Sequence, residues 1–182
     1  MRTITVALGE KTYNIEIAAG LLDQIGAKAR VLSQAVKAAI ISDSNVDPLY
    51  GERLERSLAA SGFEVTRIVF AAGEQSKNLT VLGQVYDELA RAGLTRSDLI
   101  LTLGGGVPGD LGGFAAATFL RGIDFIQVPT SLLAQIDSSV GGKVAIDLPS
   151  GKNLAGSFYQ PKAVFIDPDL LKTLPLRFLH DG

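Results

Sequence analysis

The sequence contains no cysteine and only one histidine, His180. Disulfide bonds and thiolate metal sites are therefore excluded, and a reducing compartment is expected. A catalytic zinc ion takes about three protein ligands from histidine, cysteine and carboxylate, so a zinc site within this sequence is not expected. We interpret His180, which lies near the last residue, as a surface residue.

The sequence also lacks long apolar runs and a strong charge of one sign. No apolar stretch approaches the roughly 18 residues that cross a bilayer, and residues 1–8 alternate polar and apolar side chains without the shape of a signal peptide. The formal net charge of −2 gives no reason to expect nucleic acid or a membrane as a partner. With 182 residues, 47% of them hydrophobic, we expect a cytoplasmic globular protein of one domain, or of one domain and a fragment.

Short apolar runs alternate along the chain with segments of helical periodicity. Strands are predicted at residues 3–8, 13–17, 38–42, 63–70, 99–103, 124–128 and 161–167, and helices or helical turns at 21–32, 48–60, 78–91, 131–136 and 169–174. The alternation predicts an α/β fold: a Rossmann-like, open and mostly parallel sheet flanked by helices, with an N-terminal β-hairpin. Residues 138–157 lack periodicity and are predicted to form a long functional loop.

A glycine-rich segment follows the apolar run of residues 99–103. Gly104, Gly106 and Gly109 match the dinucleotide-binding pattern G-x-G-x-x-G between a predicted strand and a predicted helix. Glycine allows another group to approach the backbone closely, and Pro108 is tolerated in the first turn of a helix. Backbone amides and the positive end of the helix dipole would then point at a phosphate. The same turn could instead serve only the packing of helix on sheet.

Polar residues follow each of the central strands of the predicted sheet. They are Asp43 and Asn45, the segment Gly73 to Lys77, Asp110, and Thr130 with Ser131. Each has an ordinary structural explanation as a helix cap or a surface ion pair. Together they lie where a parallel sheet binds its ligands, at the carboxyl ends of the strands. Further along, Lys143, Lys152 and Asn153 are flanked by glycines, and two lysines there suit an anionic substrate.

Several motifs, in order along nearly the whole chain, resemble the 3-dehydroquinate synthase family. They are residues 73–77 (GEQSK), 104–110 (GGGVPGD), 114–118, 120–122, 127–130 (QVPT), 133–143 (LAQIDSSVGGK), 151–154 (GKNL) and 158–162 (FYQPK). The run from 127 to 143 is highly specific. Sugar-phosphate cyclases that make inososes and valiolones share much of this pattern, whereas glycerol dehydrogenase-like enzymes share only the glycine turn and the general fold.

The resemblance implies a lyase of the shikimate pathway, which leads to chorismate and the aromatic amino acids. Such an enzyme converts 3-deoxy-D-arabino-heptulosonate 7-phosphate to 3-dehydroquinate and phosphate. In that family bound NAD⁺ oxidises a hydroxyl of the substrate, phosphate is eliminated, the ketone is reduced back, and the ring closes by an aldol step. The implied partner is thus a phosphorylated sugar acid.

The resemblance also implies a role for individual residues. The implied cofactor contacts are Asp43, Glu74 and Lys77 at the adenosine end; Gly104, Gly105, Gly106, Val107, Gly109 and Asp110 at the pyrophosphate; and Thr130, Ser131 and Lys152 along the nicotinamide half. Further implied cofactor contacts are Asn45, Gly73, Gln75, Lys143, Leu170 and Thr173. The implied substrate and catalytic residues are Asp137, Lys143, Asn153 and Arg121. Arg121 resembles the arginine that reaches the substrate phosphate of the neighbouring subunit in a homodimer.

The family's zinc or cobalt ion is held by a second, helical domain, so its ligands would lie outside this chain. We therefore expect residues 1–176 to be an NAD-binding domain, residues 177–182 to begin the metal-binding domain, and the 182-residue chain to be inactive alone. Two alternatives remain open: another sugar-phosphate cyclase, such as a 2-deoxy-scyllo-inosose synthase, or a stand-alone nucleotide-binding module without catalysis.

Overall fold

The computed structural model describes residues 1–175. The strands in this part of the chain are β1 (Arg2–Val6), β2 (Tyr13–Ile17), β3 (Lys37–Asp43), β4 (Glu64–Phe70), β5 (Leu99–Gly104), β6 (Asp124–Pro129), β7 (Lys143–Leu148), β8 (Gly151–Phe158) and β9 (Ala163–Ile166). Seven of them form one sheet in the order β1-β2-β9-β6-β5-β3-β4. Every neighbouring pair in this sheet is parallel except the N-terminal hairpin β1–β2. The predicted fold class is confirmed.

Helices cover both faces of the sheet. The α-helices among residues 1–175 are α1 (Ile25–Leu32), α2 (Glu52–Ala60), α3 (Leu79–Arg91) and α4 (Gly106–Thr118). Shorter helical turns are Gly9–Lys11, Leu21–Gln24, Asp47–Gly51, Glu74–Ser76, Phe119–Arg121, Ala134–Ser138 and Pro168–Thr173. The helices and strands predicted from periodicity are confirmed, with boundaries that differ by a few residues. No helix in the described range is long and apolar enough to cross a membrane.

Strand β5 lies in the interior of the sheet, between β6 and β3, and all six of its residues are buried. Its side chains alternate between two hydrophobic clusters: Leu99, Leu101 and Leu103 face α1 and α2, whereas Ile100 faces α3 and α4. A strand covered on both faces needs apolar residues throughout, which is why this run reads as continuously apolar.

The chain reverses its direction of progress across the sheet between β3 and β5. Strand β3 leads through α2 to β4 on one side, whereas β5 leads through α4 to β6 on the other. The connections after the two neighbouring strands therefore cover opposite faces and leave a crevice between their carboxyl ends. Open α/β sheets bind ligands at such a point.

The prediction of a long loop over residues 138–157 is wrong. Most of this segment forms an antiparallel hairpin of β7 and β8, which makes a second sheet. Its inward positions alternate as in any half-buried strand, with Val144 2% exposed and Ile146 fully buried. The glycines and lysines that suggested a loop lie at the ends and on the outer face of the hairpin. Lys143, Lys152 and Asn153 are consequently held on strands.

Helix α4 is packed on two sides, against the central sheet and against the hairpin. A Cβ atom on Gly112 would lie 2.7 Å from Cγ2 of Thr102 in β5, and one on Gly113 would collide with Val144 in β7. The two adjacent glycines let the backbone of α4 approach both sheets. The hairpin is thereby attached to the domain through α4.

Asp98 fastens the start of β5 to its surroundings. It is 5% exposed, and its carboxylate accepts hydrogen bonds from the Lys37 N–H at 2.9 Å, from the Thr95 N–H at 2.7 Å and from the Thr95 hydroxyl at 2.9 Å. Burial raises the pKa of Asp98, but the hydrogen bonds outweigh burial, so that the net pKa is lowered. The ionised carboxylate therefore stabilises the fold.

We predict that Asp98→Asn lowers the free energy of unfolding at pH 7 by about 1–3 kcal/mol, because one donor loses its acceptor in a buried place. Because the pKa of Asp98 is lowered in the folded state, its carboxylate stabilises the folded protein at pH values above its unfolded pKa of about 4. This stabilisation is lost as the pH falls through the folded-state pKa. The deficit of the variant should therefore shrink toward low pH in urea unfolding. Asp124→Asn is the matched control, since Asp124 is 48% exposed in its ion pair with Lys162; an equal deficit there would contradict the prediction.

Candidate functional site

A cavity of about 780 Å³ opens at the carboxyl ends of β3 and β5, in the crevice between their outgoing connections. We call it the strand-end cavity; it is lined by residues 43–46, 49–50, 72–73, 105–108, 130–131, 133 and 173–175. Most of its wall is apolar or backbone, with Leu49, Tyr50 and Leu133 on the connections that follow the strands. An apolar cleft with a few polar groups is typical of small-molecule and cofactor sites.

Glycine stands at different positions of the turn into α4 for different physical reasons. A Cβ on Gly104 would collide with the ring of Pro108, and one on Gly109 would lie 2.9 Å from Oε1 of Gln127. A Cβ on Gly106, by contrast, would meet nothing closer than Oγ of Ser138 at 3.6 Å, an ordinary contact. The fold therefore does not require glycine at position 106. A ligand that approaches the backbone at this point would explain it.

Gly106 and Val107 begin α4, where backbone N–H groups have no partner within the helix. Gly105 is the N-cap residue and contributes no side chain, and Pro108 has no N–H group to donate. The residues of this first turn, Gly106 to Pro108, line the strand-end cavity at the positive end of the helix dipole. This end of the cavity suits an anion such as a phosphate.

Polar side chains at the cavity rim also have local structural roles. Oδ1 of Asp43 accepts hydrogen bonds from the N–H groups of Asn45 at 2.9 Å and Val46 at 3.0 Å. Oγ of Ser131 accepts from the N–H of Ala134 at 3.3 Å. Asp43 thus closes the turn before the helix Asp47–Gly51 but does not cap that helix, which has no side-chain cap. The capping role considered for Thr130 is filled by its neighbour Ser131. Asp43, Thr130 and Ser131 all remain on the cavity wall.

A second cavity, of about 520 Å³, lies between α4 and the hairpin. We call it the hairpin cavity; it is lined by residues 110, 137–138, 143–145, 153–154 and 156–158. Lys143 and Asp137 face each other across 4.0 Å, and both side chains are more than half exposed. Asn153, which has a left-handed φ of 55°, joins them on the wall. The cavity thus combines a cation, carboxylates and an amide, groups that can bind an anionic, hydroxyl-rich molecule.

Asp110 connects the two cavities, because it lines the hairpin cavity and belongs to the helix whose first turn lines the other. Its Oδ2 accepts a hydrogen bond from Nζ of Lys77 at 2.8 Å. Burial raises the pKa of Asp110; the positive charges of Lys77 and Lys143 oppose this effect, and the net pKa stays raised. Burial therefore determines the direction of the pKa shift of Asp110, and Lys77 reduces its size.

The hairpin is also tied to the segment between β4 and α3. Nζ of Lys152 lies 3.2 Å from Oε1 of Glu74, and the N–H of Asp147 donates to the main-chain carbonyl of Lys77 at 2.8 Å. The carboxylate of Asp147 in turn accepts from the N–H of Asn153 at 2.8 Å. The position of Asn153 in the hairpin cavity therefore depends on this segment.

Comparison with known proteins agrees with this geometry. Residues 67–181 match the family model of the 3-dehydroquinate synthase N-terminal domain. The chain belongs to the 3-dehydroquinate synthase family. It is 58% identical over 182 residues to the 3-dehydroquinate synthase of Clostridium acetobutylicum and 55% identical to that of Clostridium botulinum. It spans 51% and 52% of those two proteins, so about half of each relative's length has no counterpart here.

Solved structures of sugar-phosphate cyclases share the fold of this 3-dehydroquinate synthase family member. A 2-deoxy-scyllo-inosose synthase in complex with carbaglucose-6-phosphate, NAD⁺ and Co²⁺ superimposes with a TM-score of 0.92 at 30% identity, over 100% of this chain and 50% of that one. A 2-epi-5-epi-valiolone synthase from Streptomyces hygroscopicus, with NAD⁺ and Zn²⁺ bound, superimposes with a TM-score of 0.84 at 31% identity. The match covers 97% of this chain and 49% of that one. A glycerol dehydrogenase from Schizosaccharomyces pombe, at 24% identity and 0.71, shares the fold alone.

The structure brings most of the site residues predicted for the family together. Asp43, Asn45, Gly73, Gly105, Gly106, Val107, Thr130, Ser131 and Thr173 line the strand-end cavity, and Asp110, Asp137, Lys143 and Asn153 line the hairpin cavity. Glu74, Gln75, Lys77 and Lys152 lie on the β4–α3 segment and the hairpin. Leu170 is 1% exposed, and its carbonyl accepts from the Tyr50 hydroxyl at 3.0 Å. The contacts of all these residues with a ligand stay predictions.

Arg121 lies apart from the other predicted site residues, beyond the far end of α4. The length of the helix puts it about 20 Å from the glycine turn. Arg121 and Leu120 both have left-handed φ angles, of 68° and 51°, and both side chains are exposed. Non-glycine residues rarely adopt this conformation. A contribution of Arg121 to the site of a neighbouring subunit stays a prediction.

Sequence reasoning missed several residues of both cavities. Leu49, Tyr50 and Leu133 form apolar wall of the strand-end cavity, and Leu154 and Phe158 form apolar wall of the hairpin cavity. Phe158 is 81% exposed. A helix-like apolar spacing marks Leu49 and Leu133 only as core candidates, so no signal in the sequence distinguishes them. Phe158 belongs to the quoted motif FYQPK, which could have identified it.

Among residues 1–175, no group of three or more histidine, cysteine, aspartate or glutamate side chains could hold a metal ion. The donors present in the described range therefore do not fit a metal centre of the kind seen in the relatives. His180 and the expected start of a second domain at 177–182 lie outside the described residues.

We predict that Gly106→Ala leaves the free energy of unfolding unchanged or raises it by up to about 1 kcal/mol, because alanine favours the helix and meets no close contact. Gly112→Ala, on the same helix, should lower it by about 1–3 kcal/mol, since its Cβ would press on the branched side chain of Thr102. Urea unfolding measures both. Equal losses at the two positions would mean that Gly106 also serves packing.

Proposed function

We propose that the protein is a 3-dehydroquinate synthase, and that this chain supplies the N-terminal half, which binds NAD⁺ and part of the substrate. The reaction is the conversion of 3-deoxy-D-arabino-heptulosonate 7-phosphate to 3-dehydroquinate and phosphate. One observation carries the proposal: two cavities share helix α4, one lined by the glycine turn and the other by Asp137, Lys143 and Asn153. The relatives that are 52–58% identical over the chain, all 3-dehydroquinate synthases by name, favour this reaction over that of another cyclase.

The strand-end cavity fits NAD⁺ on the grounds of its own residues. The space beside Gly106 and the N–H groups of Gly106 and Val107 would receive the pyrophosphate. Asp43 and Asn45 on one side and Thr130 and Ser131 on the other would hydrogen-bond the two ends of the cofactor. The chemistry that bound NAD⁺ supplies is acceptance and return of a hydride, which suits a reaction without net oxidation.

The hairpin cavity would hold the substrate next to the cofactor. The Lys143 ammonium group can pair with a carboxylate or phosphate, the Asn153 amide can donate to or accept from a hydroxyl, and the Asp137 carboxylate can accept a proton or a hydrogen bond. All three side chains are within reach of solvent, so exclusion of water needs a further covering surface. Apolar Leu154 and Phe158, exposed at this cavity, suit contact with such a surface.

Further parts of the proposal concern what lies beyond this chain. The metal ligands would lie in the other half of the protein, because the described residues do not fit a metal centre. The protein would act in the cytoplasm as a homodimer, with the exposed Arg121 directed to the neighbouring subunit. The 182-residue chain alone would bind NAD⁺ weakly and would not turn over substrate, since the covering surface and the metal site are both supplied elsewhere.

We predict that Gly106→Val abolishes NAD⁺ binding, because its side chain would occupy the space of the pyrophosphate. Calorimetric titration of NAD⁺ into the protein measures the affinity, and circular dichroism confirms that the variant is folded. Gly83→Val is a control at a half-buried position of α3, where a Cβ would meet nothing within 4 Å. Unchanged affinity in Gly106→Val would mean that the glycine turn does not bind the cofactor.

We predict that Lys143→Ala in the intact protein weakens the binding or turnover of the heptulosonate phosphate by about 10- to 100-fold, the loss of about 1.5–3 kcal/mol typical of one charge-assisted hydrogen bond. NAD⁺ affinity should change much less. Phosphate release with NAD⁺ and Zn²⁺ or Co²⁺ measures turnover, and formation of 3-dehydroquinate distinguishes this reaction from that of other cyclases.

Lys162→Ala is the matched control, because Lys162 forms an exposed ion pair with Asp124 away from both cavities. Equal losses for substrate and NAD⁺ in Lys143→Ala would assign Lys143 to the cofactor. Metal-dependent phosphate release by the 182-residue chain alone would contradict the proposal that this chain is only half of the catalytic unit.

A further inference from the structure

Lys77 lies beside Asp110, which lines the hairpin cavity, and its own side chain is only 5% exposed. Lysine is almost never buried to this extent unless its charge is paired. Its Nζ lies 2.8 Å from Asp110 on α4 and 3.9 Å from Glu74. Its main-chain carbonyl accepts the 2.8 Å hydrogen bond from Asp147 on the hairpin. One residue is thus bonded to the helix shared by both cavities and to the hairpin that carries Lys143 and Asn153.

We propose that Lys77 is a positioning residue: its ammonium group fixes the ionised Asp110 carboxylate between the two cavities, and its carbonyl fixes the distance of the hairpin from α4. This role rests on the proposed function, because Asp110 is taken to hydrogen-bond the bound ligand. It adds to the cofactor contact expected for Lys77 and does not replace it.

The ion pairs of Lys77 support a positioning role. The Lys77 ammonium group is 2.8 Å from Oδ2 of Asp110, which restrains that carboxylate in one orientation beside the hairpin cavity. Glu74, the second partner, is itself held by Lys152 at 3.2 Å. The charges therefore alternate in sign from α4 through the β4–α3 segment to the hairpin. Removing Lys77 leaves carboxylates at both of its contacts.

The charge state of Asp110 makes the role of Lys77 measurable. The charged groups that face Asp110 are Lys77 and Glu74 from the β4–α3 segment and Lys143 from the hairpin, and Asp137 lines the same cavity. Burial and Glu74 favour the protonated form, whereas the two lysines favour the ionised form. Loss of the Lys77 charge must raise the pKa of Asp110 further. Any function that needs the ionised carboxylate will then fail at a higher pH.

The test compares Lys77→Met with wild type in the intact protein. Methionine keeps an apolar stem of similar size and removes the charge. We expect the acid limb of the pH profiles of NAD⁺ affinity and of kcat/KM to move up by at least one pH unit, and kcat/KM near pH 7 to fall at least 10-fold. Asp110→Asn should show a comparable loss near neutral pH but no such acid limb.

Lys37→Met is the matched control. Lys37 also binds protein groups through its ammonium group, donating to the carbonyl of Ala92 at 2.8 Å, but it lies at the start of β3, away from both cavities. This variant should lose thermal stability and keep the wild-type pH profiles. If Lys77→Met also loses stability without any change in its pH profiles, Lys77 is merely structural and the proposal is overturned.

A second variant covers the case in which Lys77→Met does not fold. Lys77→Met combined with Asp110→Asn removes both charges, so no unpaired ion remains buried at that contact. We expect this variant to fold and to bind NAD⁺ and turn over substrate at least 10-fold less well than wild type; wild-type behaviour would overturn the proposal. A wild-type protein that neither binds NAD⁺ nor releases phosphate would instead refute the proposed function.

In that case thermal unfolding still tests the pairing of Lys77 with Asp110. The pKa of Asp110 is raised in the folded state, so the folded protein binds this proton more tightly than the unfolded chain does. The stability that results is fully present below the unfolded pKa of about 4 and is lost as the pH rises through the folded-state pKa. The stability deficit of Lys77→Met should therefore grow from pH 4 to pH 7, whereas that of Lys37→Met should stay constant. A constant deficit in both variants would overturn the pairing on which the proposal depends.

Discussion

The close approach of α4 to two sheets at once is the constraint on which the rest of the structure depends. Gly112 and Gly113 have no side chains to separate the helix from Thr102 on one side or from Val144 on the other. A helix covered on both sides cannot be amphipathic, and α4 accordingly consists mostly of glycine, alanine and large apolar residues. The position of the hairpin depends on this contact together with its hydrogen bonds to the β4–α3 segment.

The same approach creates the electrostatic character of the site. Asp110 is half-buried near the start of α4, and a partly desolvated carboxylate is stabilised by a cation beside it. Lys77 supplies that cation from a segment 33 positions earlier in the chain. An exposed pair of the same residues would contribute little, whereas a buried pair fixes the orientation of both groups. Packing of small residues and placement of charge are thus two aspects of one arrangement.

The sequence predicted the central sheet and its ligand-binding edge because both depend on local patterns. The apolar run from Leu99 and the glycines after it specify a buried strand and a tight turn without any knowledge of distant residues. The hairpin was missed because its inward residues, Val144 and Ile146, face a helix whose outer side is itself apolar. The frequent glycines and lysines around them concealed the alternation. Only knowledge that α4 is covered on both sides would have assigned strands there.

Some residues of the two cavities could be predicted from local sequence patterns, whereas others depend on contacts between distant segments. Rim residues such as Asp43 and Thr130 follow strands, so topology alone brings them to the strand-end cavity. The burial of Lys77 arises from a contact between segments that are distant in the chain, which no periodicity reports. The different reasons for glycine at positions 104, 106 and 109 likewise depend on spatial neighbours such as Pro108 and Gln127.

The sharing of α4 by both cavities also limits how such a protein can diversify. A substitution that moves the helix alters the strand-end cavity and the hairpin cavity together, so changes on α4 are rarely selective for one ligand. Strand β8 is exposed along most of its length, so substitutions on its outer face leave the packing of α4 and the glycine turn unchanged. Under the proposed function, β7 and β8 are therefore the elements through which a change can reach the substrate cavity without moving the cofactor cavity.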